Sequence, residues 1–341
     1  MKAMVLAAGL GTRLQPITFD IPKPMVPMLD RPVMGHIVHL LERHGYDELI
    51  ANIHYFPDSI KGYFGDRLTY SYEEELLGTA GGVHNVRDFF GDDPAVVVSG
   101  DALTDLDVSA LVERHRSAGG IATLAVKKVP DTRQYGVVVH DDDGRVSGFQ
   151  EKPPPEEALS ELANCGIYCF EKEIFDYFPQ EQDCVDWAED VRPALLDHDI
   201  PFYIYEMSEY WNDVGSLEEL RQGTWDALEG RLGIEASGRE AGEGVKVGEG
   251  TDLDGVEVVE GPVWIGAGCQ LGEGVRLMGP VVIGDNCRIG EGASLRESIV
   301  FPATEVRDDA ILIGAVFGHA GVVQDLRPYE EVVDGGRPVS G

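Results

Sequence analysis

The feature that most restricts the fold of this chain is a six-residue repeat in its last third. Large or branched apolar residues recur at every sixth position, at Val247, Leu253, Val259, Ile265, Leu271, Leu277, Ile283, Ile289 and Leu295. Glycine often follows them, at Gly248, Gly266, Gly272, Gly284 and Gly290. A Gly-rich linker would not keep one apolar register over such a length. The segment therefore predicts a solenoid built from six-residue faces.

The repeats also align at a spacing of eighteen residues, which gives each coil three faces. In this alignment we expect Trp264, Val282 and Val300 in one column and glycines in another. Hexapeptide repeats of this kind specify a parallel β-helix, and the pattern resembles the left-handed type. We expect about three regular coils and a degenerate fourth coil that extends through Ile313.

The first 230 residues have a different pattern, in which short apolar runs alternate with segments of helical periodicity. The runs that predict strands are residues 3–8, 49–53, 95–99, 121–127 and 167–170. Such alternation predicts an α/β domain with a Rossmann-like, mainly parallel mixed sheet over residues 1–230. Residues 231–246 are Gly-rich and weakly apolar, which predicts a linker. We expect the β-helix at 247–320 and a C-terminal tail at 321–341.

Composition limits the partners and the compartment. The formal net charge is −34, from 61 acidic and 27 basic residues, whereas nucleic acids and anionic membranes need concentrated Lys and Arg. We expect neither as a partner. No apolar run is long enough for a membrane span or has the form of a signal peptide, which predicts a cytoplasmic protein. The five cysteines form no CxxC pair, so we expect reduced thiols rather than a disulfide framework or a zinc site.

The first predicted strand runs into a Gly-rich loop that carries an arginine. The loop reads Ala-Gly-Leu-Gly-Thr-Arg-Leu-Gln-Pro over residues 8–16, and Lys23 follows between two prolines. Glycines let backbone N–H groups approach an anion, and a helix after the loop would add its N-terminal dipole. The loop matches neither the GxxxxGK[ST] pattern of a Walker A motif nor the GxGxxG pattern of a dinucleotide site. It predicts a phosphate site of another kind.

Six further motifs follow the loop in order along the chain. They are Leu-Gly-Thr-Ala-Gly from Leu77, Gly-Asp from Gly100, Tyr-Gly-Val-Val from Tyr135, Glu-Lys-Pro from Glu151, Asn-Cys-Gly-Ile-Tyr from Asn164 and Tyr-Trp-Asn-Asp-Val-Gly from Tyr210. Loop and motifs together closely resemble the signature of the sugar-phosphate nucleotidyltransferases, or NDP-sugar pyrophosphorylases, many of which also carry hexapeptide repeats. The chain looks nearest to mannose-1-phosphate guanylyltransferases and cyanobacterial-type UDP-glucose pyrophosphorylases.

This resemblance implies an enzyme that joins a nucleoside triphosphate (NTP) to a sugar 1-phosphate, with Mg²⁺ as cofactor, and releases pyrophosphate. Positioning and cations should dominate catalysis, because one anion attacks another. By resemblance, Arg13 and Lys23 are the catalytic cations that hold the triphosphate. Asp101, at the end of a predicted strand, and Asp213, in the Trp-Asn-Asp-Val-Gly turn, would ligate Mg²⁺ through hard oxygen atoms.

The remaining site residues are assigned by the same resemblance. The nucleotide would be bound by Leu6, Ala8, Gly9, Gly11, Thr12, Gly78 and Thr79. The sugar and its phosphate would be bound by Gly136, Glu151, Lys152 and Asn164. The substrate pair stays open. The segment around Glu75 resembles the guanylyl branch and could accept hydrogen bonds from guanine, which favours GTP with mannose 1-phosphate over UTP or dTTP with glucose 1-phosphate.

Two other functions are compatible with the sequence. A paralogue could keep the fold without catalysis, and the convergence of Asp101 and Asp213 on one cavity is the observation that would argue against it. The β-helix could add acyltransferase activity through His319, although a lone histidine beyond the regular coils favours a structural role.

We expect the β-helix to support a homo-oligomer. Trp264, Phe301 and Phe317 could mediate self-association, but they could equally fill the coils or pack against the catalytic domain.

Overall fold

The computed structural model describes residues 1–179, 183–234, 236–318 and 321–324. Over these residues the chain forms an α/β domain followed by a parallel β-helix. The α-helices are α1 Val33–Arg43, α2 Pro57–Phe64, α3 Gly78–Asn85, α4 Arg87–Phe90, α5 Val108–Ala118, α6 Arg192–Asp197 and α7 Leu217–Leu228. None of the helices in the described ranges is long and apolar enough to cross a bilayer.

The α/β domain is built on one mixed sheet. Its strands and those of two small ribbons are β1 Lys2–Leu6, β2 Pro27–Met28, β3 Arg31–Pro32, β4 Glu48–Ile53, β5 Thr69–Tyr72, β6 Ala95–Ser99, β7 Ala102–Thr104, β8 Ala122–Lys128, β9 Gly136–His140, β10 Val146–Glu151, β11 Leu162–Phe170, β12 Tyr203–Glu206 and β13 Trp211–Asp213. The sheet order is β10-β9-β11-β6-β1-β4-β5, with β8 beside β11 and β12 beside β8. Strands β6, β1, β4 and β5 are parallel and form its central part.

The central strands are apolar on both faces because both faces of the sheet are covered. Ala3 and Val5 of β1 belong to one core, whereas Met4 between them belongs to the core on the other face. Helix α1 packs on the first face through residues such as Ile37, and α3 packs on the second through residues such as Val83. Continuous apolar runs are typical of parallel strands buried in this way, which is why they predicted the sheet.

A two-stranded ribbon, β7 with β13, lies off the main sheet and links two distant parts of the chain. The strands are antiparallel, with Trp211 opposite Thr104 and Asp213 opposite Ala102. This register joins the segment after β6 to the segment before α7. The ribbon therefore fixes where the two predicted metal ligands lie.

The β-helix has three parallel faces, as the repeat predicts. Its strands are β14 Arg239–Gly242, β15 Val245–Val247, β16 Glu257–Glu260, β17 Val263–Ile265, β18 Gln270–Leu271, β19 Arg276–Met278, β20 Val281–Ile283, β21 Arg288–Ile289, β22 Ser294–Arg296, β23 Ile299–Val300, β24 Glu305–Val306, β25 Ile311–Ile313, β26 Ala315–Gly318 and β27 Gly321–Gln324. The faces are β15-β17-β20-β23-β26, β16-β19-β22-β25 and β18-β21-β24, and β14 and β27 pair at the two edges of the first.

The β-helix differs from the predicted register in three places, and the first is its beginning. Strands β14 and β15 start within residues 231–246, the segment predicted to be a linker. Val245 and Val247 are both buried, so the first face is already formed before the regular repeat becomes visible. The predicted domain boundaries at 230 and 246 stay predictions.

The second difference concerns Val259, which was predicted to lie inside a coil. Its side chain is 47% exposed, and Val258 is the residue opposite Leu277. The pairing of β16 with β19 shifts after Val258, which turns Val259 outward. Two adjacent valines make the sequence pattern ambiguous at this point.

The third difference is a coil that is one residue shorter than the eighteen-residue repeat. Val282 lies opposite Ile299, not opposite Val300 as the eighteen-residue alignment predicted. Met278 lies opposite Arg296, but three residues, 279–281, separate Met278 from Val282, whereas only two residues, 297–298, separate Arg296 from Ile299. This corner is one residue shorter than the corresponding corner of the coil before it, so the predicted column was wrong by one residue. Phe317 lies opposite Val300 in the following coil.

The β-helix packs directly against the α/β domain. Trp264, Val282, Ile299 and Phe301 belong to the same apolar core as α1 and β1. Trp264 Nε1 donates a hydrogen bond to Ser237 O at 2.8 Å. Of the roles open for Trp264 and Phe301, the structure therefore favours packing against the first domain.

All five cysteines are free thiols, and only Cys184 among them is exposed. His319 and most of the predicted tail, residues 325–341, lie outside the described residues.

Candidate active site

The loop after β1 lies next to the turn after β6. These strands are parallel neighbours with Leu6 opposite Ser99, and Gly100 N donates to Leu6 O at 2.8 Å. A Cβ atom at Gly100 would lie 2.6 Å from that same oxygen, so the close approach requires glycine. Asp101 is thereby held at the carboxyl edge of the sheet, where open α/β folds bind ligands.

The Gly-rich loop turns sharply at Gly11, which has a left-handed conformation with φ of 64°. A Cβ atom there would lie 2.8 Å from Lys23 Cβ, so Gly11 brings the loop against the lysine. The chain after Gly11 forms short 3₁₀ turns, Thr12–Leu14 and Ile17–Phe19, and the first α-helix begins only at Val33. The helix expected directly after the loop is therefore absent from this described segment, and backbone N–H groups and side chains are left to bind an anion.

We expect Gly11→Ala to lower the free energy of unfolding by about 1–3 kcal/mol, because alanine would combine an unfavourable left-handed conformation with a contact against Lys23. Urea unfolding followed by circular dichroism measures the change. Gly9→Ala is the matched control, since a Cβ atom at Gly9 would meet no atom within 4 Å. Equal stability of the two variants would contradict the packing of Gly11 on Lys23.

Two carboxylates and two cations meet beside this loop. The Lys23 ammonium donates to Asp101 Oδ2 and lies 3.4 Å from Asp213 Oδ1. Arg13 Nη2 lies 3.5 Å from Asp213 Oδ2. The β7–β13 register explains why two aspartates so far apart in sequence converge, because Asp213 lies opposite the residue after Asp101.

The charges in this cluster stabilise one another. Lys23 is only 8% exposed, and burial alone would lower its pKa. The charges of Asp101 and then Asp213 outweigh burial, so the pKa of Lys23 is raised. Burial alone would raise the pKa of Asp101, but the Lys23 ammonium and the Ser99 hydroxyl bring it below its usual value. At neutral pH both members of this pair are therefore charged.

Sequence reasoning missed two residues that support the cluster. The Ser99 hydroxyl donates to Asp101 Oδ1 and fixes that carboxylate. Gly215 lies under the Arg13 guanidinium, since a Cβ atom at Gly215 would be 2.9 Å from Arg13 Nη1. The glycine at the end of the Trp-Asn-Asp-Val-Gly motif was a visible signal for this second contact.

The protein itself offers a small set of possible metal ligands here. In the described part of the chain, no three His, Cys, Asp or Glu side chains are grouped closely enough to hold a metal ion. Asp101 and Asp213 nevertheless point at a common cation, the Lys23 ammonium. Mg²⁺ is commonly bound by one or two carboxylates, with substrate phosphates and water as its other ligands. The two aspartates fit that donor set.

The predicted nucleotide side is organised by a buried polar chain. Asn52 Oδ1 accepts from Ala7 N at 2.9 Å, and Asn52 Nδ2 donates to Glu73 Oε1 at 2.7 Å. The second oxygen of Glu73 accepts from Leu77 N at 3.1 Å. These bonds fix the loop after β1 relative to the segment that precedes α3. Sequence reasoning missed Asn52 and Glu73 and chose Glu75, whose side chain is exposed.

The residues at the start of α3 lie against the segment around Val185. Gly78 has a φ of 82°, and Ala80 N and Gly81 N both donate to Val185 O at 2.9 Å. Thr79 Oγ1 donates to Asp186 Oδ2 at 2.6 Å. The other predicted nucleotide residues lie at the end of β1 and in the loop after it: Leu6, Ala8, Gly9, Gly11 and Thr12. The predicted nucleotide residues therefore lie on two segments, which the Asn52–Glu73 hydrogen bonds connect.

The predicted sugar residues lie on three adjacent strands or, for Lys152, directly after one of them. Gly136 is opposite Glu151 in the β9–β10 hairpin, and Lys152 Nζ lies 3.4 Å from Glu151 Oε1. Lys152 has a φ of 47°, which turns the chain immediately after β10. Asn164 Nδ2 on β11 donates to Tyr168 Oη at 3.0 Å.

An aromatic contact connects these strands to the charged cluster. The rings of Tyr135 and Trp211 lie 5.3 Å apart between centroids, and Trp211 Nε1 donates to Cys165 O at 3.1 Å. Trp211 is in β13, the strand that ends at Asp213. Trp211 therefore connects the strands that carry the predicted sugar residues to the strand that carries Asp213, a predicted metal ligand.

Two family models match the chain. A nucleotidyl transferase model matches residues 2–230, and a bacterial transferase hexapeptide (six repeats) model matches residues 262–297. The two matched segments correspond to the α/β domain and to the central coils of the β-helix.

Similar proteins include two enzymes that act on different substrates. A UTP–glucose-1-phosphate uridylyltransferase of Synechocystis sp. is 41% identical, over 93% of this chain and 87% of the relative. A mannose-1-phosphate guanylyltransferase of Mycobacterium tuberculosis is 34% identical, over 79% of this chain and 82% of the relative. The solved structure of a UDP-glucose pyrophosphorylase from Acinetobacter baumanii has a TM-score of 0.58 at 24% identity, over 67% of this chain and 93% of that one, which supports the fold.

Proposed function

Since the chain belongs to the nucleotidyl transferase family, we propose that it transfers a nucleotidyl group from an NTP to a sugar 1-phosphate. The products are an NDP-sugar and pyrophosphate. One observation carries the proposal: Arg13 and Lys23 meet Asp101 and Asp213 in a single cluster at the edge of the sheet. Such a cluster suits this reaction, because two anionic substrates must approach and charge must be spread in the transition state.

Arg13 and Lys23 are proposed to bind the triphosphate. The Arg13 side chain is 58% exposed, so it can reach a ligand and neutralise the departing pyrophosphate. Lys23 is held by Asp101 in its protonated form and can donate to a phosphoryl oxygen. The backbone around Gly9, Gly11 and Thr12 would contact the phosphates between these side chains.

Asp101 and Asp213 are the residues proposed to hold Mg²⁺. When bound, this ion would neutralise phosphate charge and polarise the phosphoryl group under attack. Ser99 would keep the Asp101 carboxylate oriented, and the β7–β13 ribbon would keep Asp213 beside it. The aspartates would also orient Lys23 toward the phosphates.

The sugar 1-phosphate is proposed to bind along β9, β10 and β11. Glu151 and Asn164 would bind sugar hydroxyl groups, and Lys152 would bind the sugar phosphate. Gly136, which has no side chain, would let the sugar ring lie against the β9–β10 hairpin beside Glu151. These contacts would position the attacking oxygen for in-line displacement.

For the substrate pair, we place UTP with glucose 1-phosphate first. The Synechocystis uridylyltransferase is similar along nearly the whole chain. The argument for guanine from Glu75 is weakened, because Glu75 is exposed whereas the buried Glu73 accepts hydrogen bonds from Asn52 and Leu77 N. GTP with mannose 1-phosphate is the second candidate, supported by the M. tuberculosis relative.

A non-catalytic paralogue is disfavoured by the convergence of Asp101 and Asp213. A cytoplasmic location and a homo-oligomer stay predictions.

Pyrophosphate release from the purified full chain with Mg²⁺ tests the reaction. UTP, GTP, dTTP and ATP would each be combined with glucose, mannose and N-acetylglucosamine 1-phosphates. We expect one pair, UTP with glucose 1-phosphate, to exceed the others in kcat/KM by at least about tenfold, the difference that 1.4 kcal/mol produces. A preference for GTP with mannose 1-phosphate would replace the pair and keep the reaction. No release from folded protein across the grid would contradict the proposed function.

A further inference from the structure

A cavity of about 830 Å³ lies away from the charged cluster. One wall is the face of α1 that carries His36, His39 and Arg43. The other is formed by Thr104 at the end of β7, by Asp105 and by residues that follow α7. Its volume is in the range of small-molecule sites. None of the roles proposed above for the active-site residues uses this cavity.

The lining carries two arginines and three histidines against one carboxylate, Asp105, although the chain as a whole carries 61 acidic and 27 basic residues. Arg31, His39, Arg43 and His44 all border the cavity in addition to His36. Residues four apart on a helix share a face, so His39 and Arg43 are neighbours on α1. In a strongly acidic protein, a recess with this lining is an exception that favours an anionic ligand.

Two carboxylates near the cavity, Asp30 and Asp105, accept hydrogen bonds from protein donors, and a third, Asp107, lies 3.8 Å from His44 Nδ1. Asp30 accepts from Arg31 Nε at 3.1 Å and from Arg31 Nη2 at 3.0 Å. Asp105 accepts from Tyr210 N at 2.7 Å and from Gly233 N at 2.8 Å. Within the described ranges, no carboxylate lies within ion-pair distance of Arg43. Arg43 is therefore the cation that remains available.

His36 differs from Arg43 because it is buried. Its Nε2 donates to Met28 O at 2.9 Å in the neutral tautomer. Burial lowers the pKa of His36 to about 4, so this ring is neutral at physiological pH. The attraction for an anion must therefore come from Arg43, and the exposed His39 can add a hydrogen bond.

We propose that this cavity binds a small phosphorylated anion through Arg43 and His39, and that the bound anion changes turnover at the charged cluster. A guanidinium can donate two parallel hydrogen bonds to a phosphate group, and an imidazole can donate a third. The remaining volume accommodates the organic part of a phosphate ester. The site is separate from the proposed triphosphate site, which uses Arg13 and Lys23.

The β7–β13 ribbon supplies the physical connection between the two places. Thr104 Oγ1 donates to Tyr210 O at 2.6 Å, and Asp105 accepts from Tyr210 N. The cavity wall thus holds the end of the ribbon whose other end carries Asp213 and follows Asp101. Each strand of the ribbon has three residues and spans about 10 Å. A shift of the cavity wall would therefore need to pass through only this short ribbon to move Asp101 and Asp213.

Titration calorimetry on the full chain tests the site without relying on turnover. Inorganic phosphate and glucose 6-phosphate are the two probes, which distinguish a free anion from an ester. We expect saturable binding in the wild-type protein, at least about a tenfold loss of affinity in Arg43→Gln and a smaller loss in His39→Ala. Arg116→Gln is the matched control, because Arg116 is also exposed near the end of an eleven-residue helix, α5, and should bind like the wild type. Arg13→Gln should retain this binding.

Turnover with the preferred substrate pair tests whether an anion bound in the cavity affects the charged cluster. We expect the better probe to change kcat at least twofold in the wild type and in Arg116→Gln, but not in Arg43→Gln, whose basal activity should be normal. Wild-type affinity in Arg43→Gln, or loss of all binding in Arg13→Gln, would overturn the site. Binding with no change in kcat would overturn the connection. If the substrate grid fails, calorimetry still decides the binding site.

Discussion

Asp101→Asn and Asp213→Asn are each expected to reduce kcat by roughly 100- to 1000-fold, which corresponds to about 3–4 kcal/mol of lost transition-state stabilisation. Each substitution keeps the shape of the side chain and removes a charge that would hold Mg²⁺. Both carboxylates also hold Lys23, through the Asp101 hydrogen bond and the 3.4 Å contact with Asp213. One change therefore weakens the proposed metal site and the position of Lys23 together.

Steady-state rates of pyrophosphate release as a function of Mg²⁺ concentration measure this effect. We expect a lower kcat at saturating Mg²⁺ and a higher Mg²⁺ concentration for half-maximal rate in both variants. Asp142→Asn, in the exposed turn between β9 and β10, removes the same charge away from the cluster and should behave like the wild type. Near-normal kcat and an unchanged Mg²⁺ requirement in both active-site variants, with folded protein, would exclude the metal assignment.

The α/β sheet and the edge that carries the site could be predicted because they depend on local pattern. Buried parallel strands are continuous apolar runs, and residues 95–99 match β6 in full. Asp101 follows that run, so its place at the carboxyl edge could be expected. The β-helix could also be predicted, because each coil needs apolar residues and glycines at the same positions as the coil before it.

Which side chains contact one another within the site could not be predicted by the same means, because these contacts depend on the pairing of strands that are distant in sequence. Only the family resemblance linked Asp213 to Asp101, and the antiparallel pairing that joins them has no local signal. The buried hydrogen bonds of Glu73 could not be predicted for a similar reason. Three consecutive glutamates follow β5, and the direction in which each points is decided by the turn of the chain toward Leu77.

The second large expected effect is a loss of stability when a glycine of the β-helix repeat is replaced. Gly272→Ala should lower the free energy of unfolding by about 3 kcal/mol, at the upper end of the usual effect of overpacking. A Cβ atom at Gly272 would lie 2.5 Å from Glu291 N and 2.7 Å from Glu291 Cα in the next coil. Neither backbone atom can move without separating coils whose strands pair from β15 to β26. Urea unfolding monitored by circular dichroism measures the change.

The same backbone contact explains why the glycine column is needed. A Cβ atom at Gly248, Gly266, Gly284 or Gly290 would also come within 3 Å of the backbone of the following coil. Gly62→Ala is the control, because a Cβ atom at Gly62 in the exposed part of α2 meets no atom within 4 Å. Alanine is the better helix former, so this variant should be unchanged or more stable by up to about 1 kcal/mol. If Gly272→Ala unfolds at the same urea concentration as the wild type, close stacking of the coils does not require glycine. The recurrence of glycine at this position of the repeat would then need another explanation.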